Sequence, residues 1–136
     1  MHNAKFLSFI LKIFYVLGIL SFLLPWFTYD ASIMGYRRGY IFLFLFLIPV
    51  ILIGFCLFLN KPNRLFRILT QISMVWNLIC MVIALGIWQE VCNIKSGFHL
   101  LEGIKTAQPG FWFAAVVNIA LFILYQINAG QARAAK

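Results

Sequence analysis

The sequence predicts an all-α integral membrane protein, an antiparallel four-helix bundle with both termini in the cytoplasm, and three observations lead there. Four apolar stretches, about 6–27, 40–59, 65–88 and 110–127, are each long enough to cross a bilayer. About 20 helical residues, rising about 1.5 Å each, cover a hydrocarbon core about 30 Å thick. The composition agrees, with 64% hydrophobic residues, 10% charged residues and a mean hydropathy of +0.97. The third observation is where the positive charges fall. Lys5, Lys12, Lys61, Arg64, Arg67, Arg133 and Lys136 belong to the amino-terminal segment, the second loop and the tail. Arg37, Arg38, Lys95 and Lys105 belong to the first and third loops, together with Asp30, Glu90 and Glu102. Seven basic residues against four, counted in short loops, put the first set on the cytoplasmic side.

The chain is read as a single transmembrane domain, 1–136, with outer loops 28–39 and 89–109, a basic cytoplasmic turn 60–64 and a cytoplasmic tail 128–136. The longest polar connection is too short to bury a core of its own. A net charge of +8 would suggest nucleic acid in a soluble domain. Here the charges flank spans, where they set topology and meet lipid headgroups. Membrane lipids are therefore the expected contact, and nucleic acid is not.

The first span opens on basic residues and an apolar run, as a secretory signal does. The run is longer than a signal core, and Thr28-Tyr29-Asp30-Ala31-Ser32 offers no small-x-small cleavage site, so an uncleaved span is expected. Lys12 lies near its cytoplasmic end, within snorkelling reach of the headgroups. Trp26 closes this span as Trp88 closes the third, while Gly39-Tyr40-Ile41-Phe42 and Gly110-Phe111-Trp112-Phe113 open the second and fourth. These aromatics read as an interfacial belt, with a weak internal repeat as the alternative.

In the first outer loop, Arg37 and Arg38 sit among Tyr29, Tyr36 and Tyr40. They read as contacts to lipid phosphates or to Asp30; the functional alternative is a docking point for acidic groups of a partner. The second span carries no strongly polar side chain, and Pro49 at its midpoint cannot donate to the Leu45 carbonyl. A static kink is expected there rather than a hinge. Asn60-Lys61-Pro62-Asn63-Arg64 forms a tight turn that makes the second and third spans neighbours.

The third span is the most patterned. Thr70, Ser73, Asn77, Cys80 and Ala84 recur at three- and four-residue spacing, a stripe of small and polar groups on one face. In lipid, helices associate through close packing and interhelical hydrogen bonds, so this stripe is the expected helix-packing seam. Ala114 and Asn118 of the fourth span offer a matching edge. Asn77 and Asn118 are the two deep carboxamides, expected to pair directly or through water. They read as structural glue, and alternatively as the lining of a solute path. Val91, Ile94, Phe98, Leu101 and Ile104 give the third loop an amphipathic pattern suited to a short interfacial helix, weakened by Gly97 and Gly103.

Chemistry is sparse. The spans contain no Asp, Glu or His, which argues against a proton-coupled pump. Nucleotide-binding, zinc-protease and serine-hydrolase motifs are absent. Cys56, Cys80 and Cys92 have no spacing that suggests a disulfide framework and read as packing residues. Cys92, His99 and Glu102 share the third loop, but their irregular spacing suits a solvated face better than a metal or acid–base site. No catalytic, cofactor-binding or metal-ligating residue is expected, and the protein is read as no enzyme.

Leu24-Pro25-Trp26, the glycines Gly35 and Gly39, and Gly110-Phe111-Trp112 carry a resemblance. At its two outer rims the chain resembles a broad group of small bacterial inner-membrane tetraspan proteins of unassigned function. The resemblance implies a fold and a bacterial inner (plasma) membrane location, and transfers no active site. The Arg37-Arg38 pair and the long third loop have no counterpart in it. The expected function is a non-enzymatic accessory or interaction subunit, packed against another membrane protein or itself. The alternatives are a homo-oligomeric channel or facilitator for a small solute, and a protective protein of the bacteriocin-immunity or phage type.

Overall fold

The computed structural model describes residues 2–28, 36–58, 63–92 and 96–134. Five α-helices dominate: α1 (His2–Leu20), α2 (Leu43–Phe58), α3 (Arg64–Val91), α4 (Leu100–Thr106) and α5 (Pro109–Ala134). Two short strands, β1 (Pro25–Thr28) and β2 (Tyr36–Arg38), form a hairpin at one end, called here the cap end. Three segments, Lys5–Leu23, Arg64–Val91 and Pro109–Gly130, are long and apolar enough to cross a membrane. They mark the chain as an integral membrane protein.

The first apolar stretch does not stay helical to Phe27. α1 tightens into a 3-10 turn over Ser21–Leu23, and Leu24 is extended at φ −79°, ψ 152°. Pro25 is the cause, because its ring disfavours helical backbone in the residue before it. The carbonyls freed at the helix end find donors. The Ser21 carbonyl accepts from the Leu24 amide at 3.1 Å and from the Trp26 indole Nε1 at 2.8 Å. The Ser21 hydroxyl donates to the Gly18 carbonyl.

β1 is bonded along both edges. It pairs antiparallel with β2, with Pro25 opposite Arg38 and Thr28 opposite Tyr36. On its other side the Gln108 amide donates to the Trp26 carbonyl at 2.7 Å, and Phe27 bridges Ala107. The segment just before α5 thus acts as a third strand. Trp26 and Phe27 are both fully buried. The Trp26 ring stacks on Phe22 and Phe42 and meets Phe46 and Phe111 edge-on, with centroids 5.2–5.9 Å apart. Phe27 and Trp88 lie parallel, 5.2 Å apart and 2° from coplanar. The belt reading of Trp26 and Trp88 is therefore corrected: both are core residues, since these rings have more apolar partners inside the cap than at its rim. Trp112, at 44% exposure, is the one that faces outward at this level.

Glycines let the cap close. A Cβ on Gly39 would overlap the Trp26 indole, and one on Gly86 would overlap the Phe98 ring. A Cβ on Gly103 would overlap the Leu85 carbonyl of α3. The third loop thus folds back beside α3 rather than away from it, with the His99 amide donating to the Gly86 carbonyl at 2.8 Å. Gly97, at φ +93°, makes the turn that permits this. Of the amphipathic pattern, Val91 ends α3 and a separate helix runs from Leu100 to Thr106, with Phe98, Leu101 and Ile104 exposed. Ile94 lies outside the described residues.

A second core forms toward the opposite end from Leu11, Ile53, Met74, Leu121 and Tyr125. α2 packs chiefly on α3, and α1 chiefly on α5. Asn63 caps α3 by accepting the Phe66 amide at 2.9 Å. Lys12 reaches toward the end of α2, its Nζ 5.5 Å from the centre of the Phe58 ring, a cation–π contact.

Gly103→Ala forces a methyl group against backbone that has no rotamer to escape with, and is expected to destabilise the protein by about 1–3 kcal/mol. Gly130→Ala, where nothing lies within 4 Å of the added carbon, is expected to be neutral or mildly stabilising. Thermal unfolding of both variants in one detergent compares them; equal melting temperatures would contradict the close approach of α4 to α3.

Candidate functional site

Two surfaces of α3 concentrate the unusual chemistry. The inward face carries the polar stripe. Thr70, Ser73, Asn77, Cys80 and Ala84 are buried, as is Ala114 of α5, while Asn118 is half-buried. The stripe serves α2 as well as α5. Ser73 lies with Leu45, Ile48 and Pro49 along the α2–α3 groove, and the Cys80 thiol donates to the Leu45 carbonyl at 3.7 Å. The stripe's contacts thus reach α2. The reason is local: Pro49 leaves the Leu45 carbonyl without its helical donor, and Cys80 supplies one from across the interface.

Tyr15 of α1 donates to the carbonyl of Val50, the residue after Pro49, at 2.9 Å. Gly54 makes room for it, since a Cβ there would overlap the Tyr15 hydroxyl. Side chains from two helices thus bond to α2 on either side of its proline.

The two carboxamides do not bond to each other. Asn118 Nδ2 donates to the Ala114 carbonyl of its own helix at 2.8 Å. Asn77, 3% exposed, has an Oδ1 with no hydrogen-bond partner. Both residues line one small cavity, about 20 Å³, shared with Tyr15, Gly18, Phe46 and Val50. Thr70 is self-contained, its hydroxyl donating to the Phe66 carbonyl at 2.7 Å.

The outward face of α3 was not singled out by the stripe analysis. Trp76 stands near the middle of this 28-residue helix and is 45% exposed. Open grooves of about 450 and 330 Å³ flank it, one toward α5 and one toward α2, and Ile72 lines both. Gln71 and Gln126 border the first groove, with Gln71 Nε2 donating to Gln126 Oε1 at 3.3 Å. The available signal was the position of Trp76 itself: tryptophan favours the membrane–water interface, so one at mid-helix, beside the stripe rather than in it, is out of place.

Arg37 and Arg38 belong to β2 by their backbone, but their side chains, with Tyr29, Asp30 and Gly35, lie outside the described residues, as do Lys61 of the basic turn and Lys136 of the tail. Among the described residues no group of three or more His, Cys, Asp and Glu side chains could hold a metal ion, so Cys92, His99 and Glu102 do not form a ligand set. His99 instead places Nε2 2.8 Å from the Ser96 carbonyl. The geometry defines a small helical membrane protein with a braced interior and a grooved outer face. No protein-family model, curated protein or solved structure matches the chain.

Restoring a donor for Leu45 should make Cys80 dispensable. Cys80→Ala alone is expected to cost about 0.5–1 kcal/mol, and to cost less in a Pro49→Ala background, whose alanine can supply the missing amide. A double-mutant cycle measured by unfolding reads the coupling; strictly additive effects would contradict the bracing.

Proposed function

We propose that the chain is a non-enzymatic accessory subunit of a bacterial inner-membrane assembly, docking one transmembrane helix of another membrane protein along the outward face of α3. The topology in this reading has four crossings, arranged antiparallel, with both termini in the cytoplasm. The fourth crossing is Gly39–Phe58, a 4-residue 3-10 turn followed by the 16 residues of α2. At about 2.0 and 1.5 Å per residue these extend about 32 Å, which matches a hydrocarbon core. The alternation of basic residues supplies the orientation, and the resemblance to small inner-membrane tetraspan proteins supports the location.

The observation that carries the proposal is Trp76. Its ring stands at mid-helix, 45% exposed, on a face that lipid would otherwise cover, and its indole N–H brings a polar donor to that depth. A polar group left unpaired in hydrocarbon is costly, and a partner helix presenting an acceptor relieves it. The flanking grooves give such a helix a ridge to straddle, in the manner of helix packing by interdigitated side chains. The Gln71–Gln126 pair at the groove's edge offers further hydrogen-bonding groups, of the kind that join helices in lipid.

The solute-facilitator reading draws less support. The cavity beside Asn77 and Asn118 has room for about one water, not for a path, and lies inside a single chain.

Photo-crosslinking in the native membrane tests the docking. A photoreactive residue at position 76 is expected to give one discrete heavier adduct containing a foreign membrane protein. The same residue at Ile123, exposed on α5 away from the grooves, is expected to label lipid. Lipid labelling alone at both positions, or an adduct of two copies of this chain, would overturn the proposal.

A further inference from the structure

We infer that the cavity between α1, α2, α3 and α5 is a binding site for a single water molecule, held near the centre of the bundle by Asn77. The inference is independent of the docking face, because Trp76 does not line this cavity.

Three features of the cavity converge on this ligand. Its volume, about 20 Å³, exceeds the roughly 10–15 Å³ that one water needs and is too small for a chain of them. Its wall contains a side chain that requires a donor: Asn77 Oδ1 is buried and unpartnered. And it holds further polar groups with capacity to spare. The Tyr15 hydroxyl spends its proton on the Val50 carbonyl and keeps its oxygen lone pairs. Asn118 spends one amide proton on Ala114 and keeps its oxygen. A buried water makes two to four hydrogen bonds, and this lining provides for them: the water donates to Asn77 Oδ1 and to a second acceptor, Asn118 Oδ1 or the Tyr15 oxygen.

The remaining walls are apolar, among them Ile19, Phe22, Phe46, Ile53 and Leu121. Such walls exclude a chain of waters, so the site is a point and not a conduit. An ion is disfavoured on the same grounds, because no formal charge lines the cavity to offset its desolvation. The water couples α3 to α1 and α5 at a level where Asn77 and Asn118 do not touch, and so does the work of the direct pair.

Water-edited solid-state NMR on the full chain in deuterated-lipid bilayers reads this directly. The expected result is magnetisation transfer from water to the Asn77 side-chain amide, with none to the side-chain hydroxyl of Thr70 or the amide of Cys80, and loss of the transfer to Asn118 in the Asn77→Leu variant. No transfer to Asn77 in the folded wild type would overturn the inference. So would equal transfer along Thr70, Asn77 and Cys80, which would mean a water-filled path. Because the wild-type spectrum decides by itself, the outcome does not depend on the variant folding.

Discussion

The cap end of the molecule depends on one extended segment, Pro25–Thr28. Its backbone is bonded along both edges, to β2 and to Ala107–Gln108, and its two central rings meet aromatics from α2, α3 and α5. A non-helical stretch next to lipid is tolerable only where its amides and carbonyls are paired within the protein. Pro25 ends α1 and so creates the problem; the hairpin and the strand-like approach to α5 resolve it. Once Trp26 and Phe27 are seated, Gly39 must lie against the indole, α5 must start beside Pro25, and α4 must close over the last turns of α3. The third loop is thereby a structural lid on the cap, and its exposed Phe98, Leu101 and Ile104 suit the headgroup layer.

The same rule of internal satisfaction organises the middle of the bundle. A proline in α2 frees a carbonyl, and a cysteine from α3 takes it. A tyrosine from α1 bonds one turn further on. These are weak contacts individually, worth about 1 kcal/mol or less, but in lipid they replace the hydrophobic driving force that would hold a soluble bundle. Asn77 Oδ1, like Trp88 Nε1 and Gln89 Oε1 at the cap end, is a buried group with no partner among the described residues, and a bound water extends the rule to Asn77.

Much of this was legible in the sequence, for physical reasons that separate what was read from what was not. Apolar runs of sufficient length announce helices that can cross a membrane, because a helix satisfies its own backbone in lipid; α1, α3 and α5 follow from that alone. The spacing of Thr70, Ser73, Asn77, Cys80 and Ala84 put them on one face, since 3.6 residues per turn is a local property. The fate of Trp26 and Trp88 was not legible. An aromatic at the end of a span looks the same whether its ring meets headgroups or other rings, and only the fold of the hairpin decides. Gly103 was read only as a weak point in a helical pattern, and its packing role was not legible for a similar reason: its contact is with Leu85, eighteen positions away, and nothing near it in sequence signals that approach. Trp76 was passed over because a stripe analysis looks inward, whereas the unusual residue faced out.

In the proposed function, the small interior cavity and the grooved outer face make the chain a component that binds another membrane protein. The most direct test of that claim is native mass spectrometry of the protein extracted gently from its own membrane. The account predicts a stoichiometric complex with one foreign membrane subunit. A lone monomer, or a closed ring of identical copies, would contradict it.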